Sequence, residues 1–330
     1  MSEKLNKICK VLIIAFSLMI IPISSWAATY YVSPIGSTNW ADSTNISTPC
    51  SLSTANSNAD DGDVVYLRSG TYSTYIDPIN SGSSGSPITF AKYASDIGDV
   101  TISGTIYGVD LTYRSYIVID GINIENTSGH WVNLSTDTAN HAHNNTIKNC
   151  YMSESDAWAG IDLKNTHSNI LRNNELWGQC GPRDLISVWA DCTYNLIEKN
   201  TFNYGTHNGV NFNARGYNQS HNVIRNNEFW NPWHTTLSFY NSANFNLIEG
   251  NKIYDAGEDH SNNSCGSSRD RSMDRHQHNG LQIGSSDLII RNNVLVNNGR
   301  IAIESYGGDN QCISTNNRIY HNTLYKNYRG

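Results

Sequence analysis

Charge is scarce in this chain. Only 15% of its 330 residues are Asp, Glu, Lys or Arg, and the formal net charge is −7. No basic patch rises above that balance, so nucleic acid is not expected as a partner. A net acidic chain can still hold an anionic polysaccharide through a local basic stripe or a bound cation. Metal-type cysteine spacing is missing too: no CxxC pair or His/Cys cluster suggests a structural zinc site. Long apolar runs are absent except for one, Val11 to Ile21, which is too short to span a bilayer comfortably and has no successor.

That single run defines a targeting segment. Lys4, Lys7 and Lys10 precede it, and Ser25-Trp26-Ala27 places small residues where a signal peptidase needs them. Residues 1–27 are therefore expected to be removed, leaving a secreted or periplasmic protein, or one at the cell surface, with no membrane anchor. Three lysines and Glu3 leave with the segment, taking the net charge to −9. Cys9 leaves as well. The six remaining cysteines, Cys50, Cys150, Cys180, Cys192, Cys265 and Cys312, permit disulfides in an oxidising compartment, in any of fifteen pairings. Cys180 with Cys265, and Cys192 with Cys312, share a side of the repeat described next.

What the chain has in abundance is a repeat. NVIRNNEF, Asn222 to Phe229, recurs as NTIKNCYM from Asn145, NILRNNEL from Asn169, NLIEKNTF from Asn195, NLIEGNKI from Asn246, LIIRNNVL from Leu288 and NRIYHNTL from Asn317. The sixth position is Cys150 in the first copy and Asn174, Asn200, Asn227, Asn251, Asn293 and Asn322 in the others. These markers lie 24, 26, 27, 24, 42 and 29 residues apart, a solenoid period. Aliphatic residues at the second and third positions and an apolar eighth predict a short strand facing a shared interior. The marker Asn is expected at the turn in a left-handed conformation, its amide bonded to the next coil about 4.8 Å away. The fold class is all-β, a single-stranded parallel β-helix.

Residues 28–120 read as its entry, with a strand from Thr29, a short capping helix over PCSLSTANSNA from Pro49, and early rungs in DGDVVYLRSGTY, SPITFAKY, DVTISG and SYIVIDGINI. Residues 121–330 carry the repeating coils. The order YYVSP, GDVVYLRSGTY, SPITF and then Asn-rich coils resembles the pectin-lyase-like superfamily of right-handed β-helix proteins, and the N-terminal part is most similar to chondroitinase B-like polysaccharide lyases. The resemblance implies a right-handed helix with a carbohydrate substrate.

Between the marked units lies a further strand per coil. Its alternation places Asp162, Ser187, Asn211, Ser238, Gln282 and Glu304 in one outward column, and Lys164, Trp189, Asn213, Tyr240, Gly284 and Tyr306 in the next. Two residues before each strand stand Trp158, Arg183, His207, His234, His278 and Arg300. Sugar rings stack on Trp or Tyr, hydroxyls find amides and uronate carboxylates find cations. Trp189, Asn211, Asn213, Gln282, Glu304 and Tyr306 are accordingly the candidate substrate-binding residues. The 42-residue interval adds a charged loop, Asp255 to Gly280, as a candidate wall of the site.

On a uronate polysaccharide the natural chemistry is β-elimination, which needs a neutralised carboxylate, a base and an acid. His278 or His234 would supply the base, Arg183, Arg275 or Arg300 the neutralising charge, and Tyr240 or Tyr306 the acid, with His207 a further catalytic candidate of the same column. Asp184, Asp162 and Asp274 are the candidate calcium ligands. Chondroitinase B-like lyases use a Lys and an Arg on successive turns with carboxylate calcium ligands; Trp189 and Asn213 stand at those two positions here, and only Asp184 keeps a ligand-like carboxylate. The family's catalytic residues are therefore not carried over. Two other readings stay open: a glycan-binding or surface structural β-helix without catalysis, and a glycoside hydrolase of polygalacturonase type using carboxylates among Asp156, Asp162 and Asp184. The chain ends eight residues after Asn322 with nothing resembling a closing cap, so a monomer or part of a longer chain is expected.

Overall fold

The computed structural model describes residues 27–137, 141–178, 184–205, 207–213, 216–232, 234–240, 242–256, 279–305 and 314–327. Its strands stack in parallel into three sheets of eleven, ten and eight strands among the described residues, each sheet taking every third strand in chain order through the repeating coils. The chain winds as a β-helix.

One coil shows how the repeat builds it. The strand Val223–Arg225 joins the eleven-stranded sheet, Glu228–Trp230 the ten-stranded sheet and Thr235–Tyr240 the eight-stranded sheet. The eight-letter motif is thus two three-residue strands folded about a corner, and each coil carries three strands rather than two. Strands this short show too few alternations to be separated by period. Successive coils pair in parallel, Val223 with Leu247, Glu228 with Lys252 and Thr235 with Asn279. Ile224, Phe229, Leu237 and Phe239 point inward and are buried. Like residues stack along the axis, Phe202 on Phe229 at 4.4 Å and Phe212 on Phe239 at 4.8 Å between ring centroids.

The corner differs from the expectation in one respect. The left-handed residue is the fifth of the motif: Asn149, Asn173, Lys199, Asn226, Asn292 and His321 have φ between 54° and 57°, and Gly250 has φ 65°. The sixth residue, freed from the turn, points inward. Asn227 Oδ1 accepts from the backbone N–H and the side chain of Asn200, at 2.9 and 3.1 Å, while its own amide donates to Ile197 O and Asn251 Oδ1 at 2.9 and 3.0 Å. Every bonding position of the buried amide is filled. The ladder runs from Asn174 to Asn322 and crosses the long interval intact, with Asn251 donating to Asn293 at 3.0 Å. A second ladder at the first position of the motif links Asn169, Asn195, Asn222 and Asn246.

At the start of the helix, Thr29–Ser37 pairs with Val64–Leu67. The predicted cap forms the helix Leu52–Asn58, whose first turn is tied by Ser51 Oγ accepting from the Thr54 amide at 3.1 Å. Leu52 and Ala55 bury against the first coils. Cys50, Cys150 and Cys192 are free, buried thiols. Cys180, Cys265 and Cys312, the other members of the two pairs, lie outside the described residues. No helix among the described residues is long and apolar enough to cross a membrane.

Candidate catalytic face

The eight-stranded sheet carries the predicted columns. Its strands Ala159–Lys164, Asp184–Trp189, Asn208–Phe212, Thr235–Tyr240, Asn279–Gly284 and Ile303–Ser305 bring Asp162, Ser187, Asn211, Ser238, Gln282 and Glu304 side by side in register. Their neighbours Ile186, Val188, Val210, Phe212, Leu237 and Phe239 fill the core, so the column faces away from it. Asp110 and Asn133 extend it towards the N-terminus. The face is not the open, wet surface that outward polar residues suggested: Ser187, Asn211, Ser238 and Gln282 are all buried.

Within this buried polar layer sits one carboxylate with a histidine. Asp184 is fully buried, and its Oδ1 lies 2.7 Å from Nδ1 of His207, on the next coil. The same oxygen accepts from the Asn208 backbone at 3.2 Å and from Asn208 Nδ2 at 3.0 Å, while Oδ2 accepts from Asn211 Nδ2 at 2.8 Å. An ionised carboxylate only accepts, so the Asp184 contact favours a neutral His207 with its proton on Nδ1 and its lone pair on Nε2, while Asn208 Nδ2 lies 2.8 Å from the same Nδ1. The His234 ring stacks on that of His207 at 4.5 Å, with Nδ1 3.3 Å from Asn208 Oδ1. A carboxylate that fixes the tautomer of an imidazole is a general-base arrangement.

Asn208 was not singled out by sequence reasoning, although a signal for it exists. His-Asn-Gly occurs at 207–209 and again at 278–280. The glycines are required by packing: a Cβ on Gly209 would come within 2.7 Å of Thr236 O, and one on Gly280 within 2.6 Å of Ala302 O. In both copies the Asn holds a carboxylate, Asn208 that of Asp184 and Asn279 that of Glu304, the latter at 2.6 Å.

A second network occupies the later coils. Gln282 Nε2 donates to Glu304 Oε2 at 3.1 Å, the Tyr240 hydroxyl donates to Gln282 Oε1 at 2.6 Å, and Arg300 lies 3.6 Å from Glu304. Tyr240 is six residues beyond His234 along one extended segment, roughly 20 Å away. It is not brought together with the histidines, and neither is Trp189, which ends its strand 37% exposed. Asn213 follows the strand Asn208–Phe212 at that same far edge. Arg183, Arg275, His278, Asp274 and Tyr306 lie outside the described residues, as does most of the charged loop.

The described carboxylates predicted as calcium ligands, Asp162 and Asp184, are not brought together, and Asp274 lies outside the described residues. Both oxygens of Asp184 are taken by donors from His207, Asn208 and Asn211. Asp162 pairs in register with Ser187, three residues along from Asp184, and so roughly 10 Å from it. Burial raises the Asp162 carboxyl above its ordinary range despite His130, whose Nε2 is 4.0 Å away. A hard divalent cation needs several convergent oxygens, and among the described residues no group of three or more His, Cys, Asp or Glu converges. The same spacing keeps Asp162 and Asp184 from facing each other directly as a carboxylate pair.

Known proteins place this architecture. No curated protein sequence matches the chain. Among solved structures, an alginate lyase from Paenibacillus sp. str. FPU-7 is 16% identical with a TM-score of 0.52, over 83% of this chain and 97% of that one. A pectate lyase is 15% identical with a TM-score of 0.53, over 92% and 78%. A rhamnogalacturonan lyase is 12% identical with a TM-score of 0.54, over 90% and 87%. At these identities the likeness is one of fold. Residues 88–253, half of the chain, match the family model described as right handed beta helix region, and the protein belongs to that right-handed parallel β-helix family.

Proposed function

We propose that the protein is an exported, carbohydrate-active β-helix that cleaves a uronate-containing polysaccharide by β-elimination, with His207 as the base. The observation that carries the reading is the 2.7 Å contact between buried Asp184 and His207. A fold shared with lyases of alginate, pectate and rhamnogalacturonan supports the substrate class, as does the resemblance of the N-terminal coils to chondroitinase B-like lyases. The targeting segment supports export.

In the proposed step, Nε2 of His207 takes the proton from C5 of the uronate. The released electron pair becomes the C4–C5 double bond as the C4–O bond breaks, and the departing oxygen receives a proton. His234, stacked at 4.5 Å, is the proposed donor when protonated. Asp184 stabilises the imidazolium that forms on His207. Arg183, which immediately precedes Asp184 in the chain, is the proposed partner of the substrate carboxylate.

The test is incubation of the mature protein with alginate, pectate, chondroitin and neutral glycans, with and without Ca²⁺. Unsaturated uronate ends, seen by ultraviolet absorbance, are the expected product. New reducing ends without that absorbance would mark a hydrolase instead, and binding with neither product a glycan-binding module.

A further inference from the structure

We infer that Ser187 and Asn211 form a clamp for ring hydroxyls beside His207, so that the sugar is held by its hydroxyl edge as well as by its carboxylate. The inference rests on the reading of this face as a glycan site.

Ser187 and Asn211 are directly opposed in register on neighbouring coils, about 4.8 Å apart. They are 0% and 3% exposed, and no protein group pairs with Ser187 Oγ or with Asn211 Oδ1. Such unpartnered buried atoms are uncommon in folded proteins. Both residues alternate with the core residues Ile186, Val188, Val210 and Phe212, so both point to the face.

The orientation of the Asn211 amide is fixed by chemistry. Its Nδ2 donates to Asp184 Oδ2 at 2.8 Å, and a carboxylate would not tolerate the amide oxygen in that place. Oδ1 must therefore point away from Asp184, as an acceptor with nothing in the protein to accept from. The same carboxylate holds His207 through its other oxygen. One rigid group thus sets both the proposed base and the proposed clamp.

An amide oxygen takes a hydrogen bond from a hydroxyl and repels a carboxylate. A serine hydroxyl beside it both donates and accepts. Together they suit two adjacent sugar hydroxyls, one donating to Asn211 Oδ1 and one accepting from Ser187. Farther along the face the pattern recurs: Asn279 Nδ2 is held by Glu304, and its Oδ1 is buried and unpartnered.

The experiment is calorimetric titration of the full chain with oligomers of polygalacturonate and of polymannuronate, each unmodified and O-acetylated on the ring hydroxyls. Acetylation removes the hydroxyl donors and keeps every carboxylate. Wild-type protein is expected to bind an unmodified oligomer and to lose about tenfold or more in affinity for its acetylated form. Ser187→Ala removes a hydroxyl that bonds to no protein group, so its melting temperature should equal or exceed that of wild type while affinity for the unmodified oligomer falls about tenfold. Ser187→Thr should restore much of that loss. Wild-type binding that is indifferent to acetylation, or unchanged in Ser187→Ala, would overturn the clamp and leave the glycan reading standing. Failure of wild type to bind either unmodified oligomer would overturn both.

Discussion

Asp184 Oδ1 and His207 Nδ1 lie 2.7 Å apart across two coils, with the carboxylate fully buried and the imidazole 21% exposed. The carboxylate cannot leave this position without abandoning Asn208 and Asn211 as well. Replacing Asp184 with Asn keeps the volume and removes the charge that fixes the tautomer. Initial rates of unsaturated product formation are expected to fall about 10–100-fold. Circular dichroism should show the β-helix retained.

The Asn ladder carries stability rather than chemistry. Asn227→Ala strips partners from the Asn200 backbone and side-chain amides, from Ile197 O and from Asn251 Oδ1 at once. With several buried groups orphaned, a loss of about 3 kcal/mol is expected, measured as a lower urea midpoint. Asn226→Gly, at the left-handed position with φ 54°, should change that midpoint far less, because glycine adopts the conformation readily.

Acid sensitivity has two identifiable sources. Glu198 sits between Arg172 and Arg225, 2.5 and 2.6 Å from their Nε atoms, on the eleven-stranded sheet. Burial pushes its carboxyl up, but the Arg225 hydrogen bond and the two guanidinium charges outweigh it and hold the group below its ordinary 4.5. Because the folded value is depressed, its contribution is complete above 4.5 and is lost as pH falls through the folded value. Glu198→Gln should lower stability at neutral pH by about 2 kcal/mol, and the gap to wild type should close on acidification. Denaturant midpoints across that range check it.

The second source acts at milder pH. His143 and His167 stack at 4.8 Å with their rings 6° apart. Burial, and the neighbouring His141, push His143 below its ordinary 6.5; burial, His143 and His141 do the same to His167. Both histidines favour the neutral form in the folded state, so their contribution is full above 6.5 and is lost as pH falls. His167→Gln should flatten the decline in melting temperature between about pH 6.5 and 5, as read by thermal scans.

The coil was legible in the sequence because its ladder is chemically demanding. A buried amide that must donate twice and accept twice admits few substitutes, so Asn200, Asn227 and Asn251 stand out at a nearly fixed interval. The columns were legible for a similar reason, since period two fixes which of Ile186, Ser187 and Val188 face the core. The number of strands per coil was not, because Val223–Arg225 and Glu228–Trp230 are too short to announce a corner between them. Burial of the face was hidden as well, since it depends on what covers Ser187 and Gln282 and not on their alternation. The partners of Asp184 were not legible, because they come from another coil, 23 to 27 residues onward. Only the recurrence of His-Asn-Gly hinted at them.

The proposed chemistry turns on His207. Its replacement by Gln keeps a side chain able to hydrogen-bond to Asp184 and removes the base. The decisive measurement is the rate of unsaturated uronate formation by wild type and His207→Gln on whichever polyuronate the wild type cleaves. A loss of at least about 100-fold in kcat with little change in KM is the result expected of a general base. Full turnover by His207→Gln, with the fold intact, would contradict it.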